Sequence, residues 1–312
     1  MNAELPIWIE RRLAAAAPNP VQEFAAHLAA RGRGSVVAVL FYGSGLRGGD
    51  LADGLLDFYV VVDRLSDWHG RGFAAAANRL LPPNVFYEEA LIGTQKLRAK
   101  VAVLSLAQFE NGMRLGSLDT TLWARFTQPV ICAWHRDAAA LTASAAAVAS
   151  AATTAASWAA RLGPESASAR DFWRALFRRT YATELRVERS ERADAVVGFD
   201  PVYYEVLLPL AWKAAGIAFQ LSDDGLLQPQ IRTEQRRAAE KSWQRRQALG
   251  KPLNVARLAK AAFTFDNGAD YLAWKIERHS GVKLKLSAWQ RRHPILAAPA
   301  IIWRLKRRSV LR

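Results

Sequence analysis

The sequence predicts an α/β (α+β) fold in which a domain built on a mixed sheet is followed by an all-helical domain. Short apolar runs of β type alternate with helical segments as far as residue 136. Beyond that residue, an alanine-rich stretch and regularly spaced aromatic residues indicate helices alone. With 312 residues, of which 51% are hydrophobic, the chain is long enough to form both cores.

The predicted sheet domain covers residues 1–136. It begins with one or two amphipathic helices over 5–31, which a Pro-Asn-Pro sequence interrupts at 18–20. Five β-type runs follow, at 35–42, 55–62, 84–90, 97–104 and 129–134. We expect one helix over 65–80, between the second and third runs, and another helix capped by Ser105.

The predicted helical domain covers residues 137–252. Its first helix is expected over 138–162, a segment that consists largely of Ala, Ser and Thr. Asp137 is placed to cap this helix, and Gly163-Pro164 is placed to end it. A second helix is expected where apolar side chains recur at every fourth residue, namely Trp173, Phe177, Tyr181 and Leu185.

The last predicted unit, residues 253–312, is a basic amphipathic tail. The chain has a net charge of +15, and from Arg278 to the C-terminus it contains ten Lys or Arg residues and no Asp or Glu. Such a surface binds polyanions, and the charge alone fits both nucleic acid and an anionic lipid surface.

Three features bear on the compartment. No apolar run is expected to span a bilayer, because such a helix needs roughly 18 apolar residues. The N-terminal residues include Glu4 and Glu10 and show no leader pattern, so we expect no cleaved targeting peptide. The single cysteine, Cys132, lies in an apolar run and is expected in the core, which suits a reducing cytosol.

The first chemical motif is a turn between two strands. The strand at 35–42 leads into Gly43-Ser44-Gly45, and Asp57, thirteen residues after the serine, lies near the start of the next strand. Glycines let backbone N–H groups approach phosphate oxygens closely, and a carboxylate is a suitable ligand for Mg²⁺. This arrangement is typical of nucleotidyltransferases, which transfer a nucleoside monophosphate from a triphosphate to an acceptor.

The expected pair of carboxylates is incomplete. Nucleotidyltransferases commonly have Asp-x-Asp on the second strand, but Leu55 occupies the earlier position here. A second metal would need a carboxylate from elsewhere, and the candidates are Asp50, Asp53, Asp63, Glu88 and Glu89. The sequence therefore predicts Mg²⁺ held by Asp57, either as a single ion or with further ligands that the residues do not identify.

A family resemblance follows from these residues. Segments 41–45 and 56–63, together with Trp68-His69, resemble the mitochondrial-type CDP-diacylglycerol synthases, the phosphatidate cytidylyltransferases of the translocator assembly and maintenance family. Weaker matches follow in the same order, at 100–105, 125–130, 181–186 and 262–264. The departures, such as Val101-Ala102 and Glu184, indicate a remote, bacterial member.

The resemblance implies the reaction CTP + phosphatidate → CDP-diacylglycerol + pyrophosphate, with Mg²⁺ as cofactor. It implies that Gly43, Ser44 and Gly45 bind the CTP triphosphate and that Asp57 ligates the metal. Further phosphate contacts are implied for Lys100, His69, Arg125 and Arg186. Each of these four also has an ordinary structural interpretation, as a solvated lysine, a hydrogen-bonded core histidine or a surface arginine.

The tail fits a peripheral membrane protein, because cations alternate with apolar and aromatic residues. The residues expected to contact lipid are Trp289, Trp303, Arg304, Lys306 and Arg307. The resemblance implies a cytoplasmic location on the inner face of the membrane (the mitochondrial inner membrane in a eukaryote). A nucleic-acid partner fits less well, since exposed Ile, Leu and Trp add nothing to phosphate neutralisation.

Two other functions remain open on the residues. One is nucleotidyl transfer to RNA or to a protein hydroxyl. The other is binding of anionic lipid or nucleic acid without catalysis, on the same scaffold. The choice of CTP over other triphosphates rests on the resemblance, and the residues leave the oligomeric state open.

Overall fold

The computed structural model describes residues 3–49, 51, 54–183, 191–264, 268–271, 273–274 and 286–292. It confirms the predicted α/β class, since a mixed five-stranded sheet is joined to a helical C-terminal portion.

The strands coincide with the predicted β-type runs to within two residues at each end. They are β1 (Val36–Tyr42), β2 (Leu56–Val62), β3 (Asn84–Ile92), β4 (Gln95–Ser105) and β5 (Ile131–His135). Their order in the sheet is β3-β4-β2-β1-β5. The β2 and β4 strands run parallel, and the other three neighbouring pairs run antiparallel.

Two helices precede the sheet, as predicted: α1 (Glu4–Leu13) and α2 (Asn19–Arg31). The sheet has two apolar faces because alternate strand residues point to opposite sides. Phe41 and Phe58 face α2, whereas Tyr59 and Ala102 face the helices that follow the sheet in sequence. The sheet is therefore covered on both sides.

The prediction of a single helix over 65–80 was wrong. Two helices occupy this stretch, α3 (Leu65–His69) and α4 (Phe73–Leu80). The break falls at Gly70, whose φ of +73° belongs to the left-handed region that glycine adopts at little cost. The sequence Gly-Arg-Gly at 70–72 thus ends the first helix before the apolar pattern resumes.

Local signals at the next helices act as predicted. Ser105 caps α5 (Leu106–Gly112) in a capping box, in which its hydroxyl accepts from the Gln108 backbone N–H and the Gln108 side chain accepts from the Ser105 N–H. After α6 (Thr121–Phe126) and β5, Asp137 caps α7 (Ala138–Leu162) by accepting from the Ala140 N–H at 2.7 Å.

The α7 helix is long and apolar enough to cross a membrane when judged by length and composition alone. Its mean hydropathy reaches 1.3 over an 18-residue window, although 56% of that window is buried inside the protein. Length and composition do not show that a helix crosses a bilayer, so the expectation that no segment does so stays a prediction. Small side chains, among them Ala151, Ala152 and Ala155, let neighbouring helices approach α7 closely, which is the pattern of a core helix.

The rest of the described chain is mainly helical. It comprises α8 (Ala169–Thr183), α9 (Glu191–Phe199), α10 (Pro201–Ala214), β6 (Phe219–Leu221), β7 (Leu227–Pro229), α11 (Thr233–Thr264) and α12 (Ala288–Arg292). The β6–β7 hairpin departs from the all-helical prediction; it turns at Asp-Asp-Gly, where Gly225 has a φ of +74°.

The predicted sheet domain and the predicted helical domain share one core. A continuous apolar cluster joins Tyr59 of the sheet to Trp158 of α7, and extends to Trp212 of α10 and Trp243 of α11. Helix α11 also continues across residue 252, where the sequence placed the start of the tail. The site described next lies where this cluster meets the end of the sheet.

Candidate active site

The candidate site lies at the edge of the sheet where β1 ends and β2 begins. Tyr42 at the end of β1 is paired with Asp57, and Asp57 is paired with Lys100 of β4. Residues paired in this way point to the same face of a sheet. The three side chains therefore form a row on the face that the later helices cover.

The turn after β1 depends on its first glycine. Gly43 has a φ of +90°, and a β-carbon at this position would lie 2.5 Å from Oδ2 of Asp57. Any larger residue would collide with the carboxylate, so glycine is required for both conformation and space. The turn and the carboxylate predicted from the sequence are thus in direct contact.

The two residues that follow have different roles. Ser44 is exposed, and its carbonyl accepts from the N–H groups of Arg47 and Gly49, both at 3.0 Å, which closes the loop on itself. Gly45 lies against the Phe41 ring, where a β-carbon would be 3.0 Å from Cζ. Gly45 is therefore explained by packing, and the exposed hydroxyl of Ser44 is available to a ligand.

A cavity of about 70 Å³, here called the turn cavity, opens between the turn and α6. Its chemistry-bearing lining residues are Gly43, Ser44, Arg47, Asp57, Thr121, Arg125, Gln128 and Tyr181. Because a water molecule in the liquid takes about 30 Å³, the turn cavity holds a small polar group and not a whole nucleotide.

A second cavity of about 480 Å³, here called the large cavity, adjoins the turn cavity. The two share Thr121 and Arg125 as lining residues. Lys100 of β4 and Arg257 of α11 also line the large cavity, and its volume lies in the range of small-molecule binding sites. Together the two cavities form one cleft with a narrow polar end and a wide end.

Positive groups line the cleft. The guanidinium of Arg125 lies 5.0 Å from the centre of the Tyr42 ring, within the range of a cation–π contact. Arg257 donates to Oδ2 of Asp119 at 2.5 Å and to the carbonyl of Pro82 at 3.0 Å. Burial would raise the pKa of Asp119, but its hydrogen bonds and the charge of Arg257 lower that pKa below the usual value. Asp119 is thus held ionised by an arginine.

The large cavity also contains a buried hydroxyl. Tyr59 lies two residues after Asp57 on the covered face of β2, with its ring centre 5.2 Å from that of Tyr42, and burial raises the pKa of its phenol. The positive charges of Arg125 and Arg257 oppose this shift without cancelling it. Tyr59 therefore stays protonated at neutral pH and offers a hydrogen-bond donor to the wide end of the cleft.

The alternative carboxylates are engaged elsewhere. Asp63 forms an ion pair with Arg136 at the far end of β2. Glu88 binds Arg31 at 2.6 Å, and Glu89 accepts from the hydroxyl of Tyr87. Asp50 and Asp53 lie outside the described residues.

The site could hold Mg²⁺ through one carboxylate together with substrate oxygens. Among the residues that the structure describes, no cluster of three or more His, Cys, Asp or Glu side chains is arranged to hold a metal ion. Mg²⁺ is often bound by one or two carboxylates together with substrate phosphates and water. Asp57 beside a phosphate-sized cavity meets this requirement, provided that the nucleotide supplies the other oxygens.

His69 does not join the cleft, although the sequence suggested a phosphate contact. Asn78 Nδ2 donates to the Val103 carbonyl at 3.0 Å, and the same amide group lies 2.9 Å from His69 Nε2. Since Asn78 is the donor, Nε2 must be an acceptor and the ring is neutral. Burial, and secondarily the charge of Arg31, lowers the pKa of His69 to about 4. The bond to Asn78 gives this histidine a structural role.

The remaining predicted site residues are only partly within the described chain. Arg186 lies outside it, as do the tail residues Trp303, Arg304, Lys306 and Arg307. Trp289 lies on α12 and is 55% exposed.

The structure adds site residues that sequence reasoning did not select. Arg47 lies three residues after Ser44, so its place in the same loop was a usable signal. Thr121 and Gln128 lie four residues before and three residues after Arg125, a spacing that puts all three on one side of a helical turn. Tyr181, which the sequence placed only among the periodic apolar residues of a helix, is 6% exposed and also lines the turn cavity.

No protein-family model matches this chain, and a search of curated proteins finds no match. The family resemblance therefore rests on the motifs alone and stays a prediction.

Proposed function

We propose that this protein is a nucleotidyltransferase, specifically a phosphatidate cytidylyltransferase that converts CTP and phosphatidate to CDP-diacylglycerol and pyrophosphate. The observation that supports the proposal is the contact between the Gly43 turn and the Asp57 carboxylate, at the polar end of a cleft lined by arginines. Nucleotidyl transfer needs a phosphate-binding turn and a metal-binding carboxylate side by side.

The turn is suited to bind the triphosphate. Ser44 is exposed and can donate its hydroxyl to a phosphate oxygen, while the absence of a side chain at Gly43 lets the Asp57 carboxylate lie directly beside the turn. Arg47 and Arg125, which line the same turn cavity, bring positive charge to an end of the cleft that already contains the Asp57 carboxylate. Bound Mg²⁺, held by Asp57, would neutralise charge on the phosphates. The protein's contribution is mainly positioning and electrostatic stabilisation.

The proposed acceptor needs no strong general base. A phosphate monoester with a second pKa of roughly 6 is already largely ionised at neutral pH. One of its oxygens forms a bond to the α-phosphorus of CTP, the bond from that phosphorus to the bridging oxygen breaks, and pyrophosphate leaves with the electron pair. No proton has to be removed from the acceptor.

The wide end of the cleft is compatible with this acceptor. Lys100 and Arg125 bring positive charge to the large cavity, where the charge of Arg257 is balanced by Asp119, while Leu122, Leu258 and Ala261 give it apolar walls. Phosphatidate has a charged phosphate that suits the positive groups and acyl chains that suit the apolar walls. The choice of phosphatidate and of CTP nevertheless rests on the family resemblance, and peripheral attachment to the inner face of the membrane is part of the same proposal.

The test is to incubate the purified protein with α-labelled CTP, Mg²⁺ and vesicles that contain phosphatidate, and to separate the lipids. We expect a labelled liponucleotide and a stoichiometric release of pyrophosphate. Parallel reactions replace CTP with ATP, GTP or UTP, and replace phosphatidate with RNA or an acceptor protein. If RNA or protein is labelled and lipid is not, the acceptor is not phosphatidate and the proposed reaction is wrong. If no triphosphate is consumed with any acceptor, the protein is better explained as a binding protein without catalysis.

A further inference from the structure

In the last turns of α11, charged side chains point inward and apolar side chains point outward. Two cations point inward: Arg257 binds Asp119, and Lys260 Nζ donates to the carbonyls of Leu81 and Pro83 at 2.5 and 2.6 Å. The exposed side of the same turns is apolar, with Val255, Leu258 and Phe263 exposed by 55%, 65% and 73%. A surface helix of a globular protein normally shows the opposite arrangement.

The neighbouring helix α4 extends this apolar surface. Phe73 and Leu80 are 66% and 87% exposed, and their spacing of seven residues puts both on one side of the helix. The two helices meet because Lys260 binds the carbonyl of Leu81, the residue after Leu80. We call the combined surface the apolar rim, and it consists of Phe73, Leu80, Val255, Leu258 and Phe263.

The apolar rim borders the candidate active site. Leu258 is exposed to solvent and also lines the large cavity. Pro83, which accepts from Lys260, lines the same cavity. A flat partner resting on the rim would therefore lie beside the wide end of the cleft.

The two segments that form the rim carry charge of one sign, and the neighbouring Asp119 is paired with Arg257. Segments 68–87 and 242–264 contain seven Lys or Arg residues and no Asp or Glu. Arg71, Arg79, Arg245 and Lys251 are the exposed ones among them. Large apolar side chains surrounded by exposed cations are the pattern of a surface that enters the interfacial layer of an anionic membrane. Five large apolar side chains exposed on two contacting helices indicate an interaction surface.

We infer that the apolar rim docks onto the surface of a bilayer that contains anionic lipids, with Phe263, Leu258, Phe73 and Leu80 inserted among the headgroups. This contact differs from the membrane tail that the sequence predicts, because two of its five residues, Phe73 and Leu80, come from α4. The other three lie at the start of the predicted tail, residues 253–312. It orients the large cavity toward the lipid. The inference does not need nucleotidyl transfer, so it stands or falls independently of the proposed reaction.

The native cysteine makes a direct test possible. Cys132 is buried, and burial raises the pKa of its thiol to about 12, so it resists alkylation at neutral pH. A single introduced cysteine in the full chain, Phe263→Cys or Leu80→Cys, can then be labelled with an environment-sensitive fluorophore. The matched control is Leu221→Cys in the β6–β7 hairpin, since Leu221 is 67% exposed.

The labelled proteins are mixed with vesicles of phosphatidylcholine alone or of phosphatidylcholine and phosphatidylglycerol, with and without brominated acyl chains. We expect the labels at 263 and 80 to shift to the blue and to be quenched by brominated lipid on anionic vesicles, and the label at 221 to stay in water. Bound protein whose labels at 263 and 80 remain in water would refute the inference, as would absence of binding to anionic vesicles.

A second measurement uses unlabelled protein. Leu258→Asp with Phe263→Asp is expected to weaken sedimentation with anionic vesicles by roughly tenfold or more, because two buried apolar side chains are lost from the interface. Leu221→Asp is expected to bind like the parent chain. Equal binding of all three proteins would contradict the inference, and circular dichroism checks that each variant is folded. No readout involves CTP, so an inactive protein would leave the result interpretable.

Discussion

Gly43 and Asp57 are in such close contact that a β-carbon on residue 43 would lie 2.5 Å from the Asp57 carboxylate oxygen. The contact joins the end of β1 to the start of β2 and sets the position of the exposed Ser44. It makes the turn that we propose to bind phosphate and the proposed metal ligand parts of one unit.

This contact predicts the effect of a methyl group. In Gly43→Ala, the alanine has to adopt a φ near +90° and its methyl group has to displace Asp57. In Gly48→Ala, the backbone has a similar φ of +82°, but the space around the new methyl group is open. Both substitutions are expected to cost about 1–2 kcal/mol of backbone strain. Urea unfolding should show a larger loss of stability for Gly43→Ala, which alone should lose nucleotide turnover. If both variants lose the same amount of stability and turnover, the turn can shift to accommodate the methyl group at residue 43 without disturbing Asp57.

Asp57→Asn is predicted to lower turnover by at least roughly 100-fold, because an amide is a poor ligand for Mg²⁺ and the charge is lost. Vesicle binding should be unchanged. The matched control is Asp63→Asn, on the residue that directly follows the same strand, where the carboxylate pairs with Arg136. Release of pyrophosphate from CTP at varied Mg²⁺ concentration measures both variants. Full activity of Asp57→Asn would remove this residue from the metal site.

Arg125 is predicted to act on the nucleotide, since it lines both cavities and packs on the Tyr42 ring. Arg125→Ala should lower kcat/KM for CTP by roughly 100-fold, and Arg125→Lys should recover only part of this loss because lysine lacks the planar guanidinium. Arg170→Ala, which removes a surface ion pair with Glu205, serves as the control. If Arg125→Ala behaves like Arg170→Ala, the arginine has a packing role alone.

His69 is predicted to be structural and neutral. Its pKa of about 4 lies below the ordinary value of 6.5, so the unfolded chain binds more protons between these two pH values. The free energy of unfolding should therefore rise with pH from about 4 to 6.5, and this contribution is lost as the pH falls through 4. His69→Asn should flatten that part of the curve while leaving turnover near the parent value. A titration midpoint above 6 in the NMR spectrum of His69, or a large loss of turnover, would contradict this role.

Local sequence patterns were enough for the five strands of the main sheet, for most of the helices and for half of the site. The five β-type runs, the caps at Ser105 and Asp137, and the spacing from Ser44 to Asp57 depend on residues close together in the chain. These features follow from side-chain periodicity, from hydrogen bonds within one turn and from the conformational freedom of glycine. Sequence periodicity failed at Gly70, where a backbone preference interrupts an otherwise regular apolar pattern.

The sequence by itself therefore determined that this chain has an α/β sheet with a Gly-Ser turn next to a strand aspartate. Only the tertiary structure decided what surrounds them. The parallel pairing of β2 with β4 aligned Lys100 with Asp57, α6 brought Arg125 to the turn, and the inward cations of α11 left Leu258 and Phe263 exposed. These positions depend on contacts between segments far apart in the chain, which are set by packing of the whole core and leave no local pattern to read.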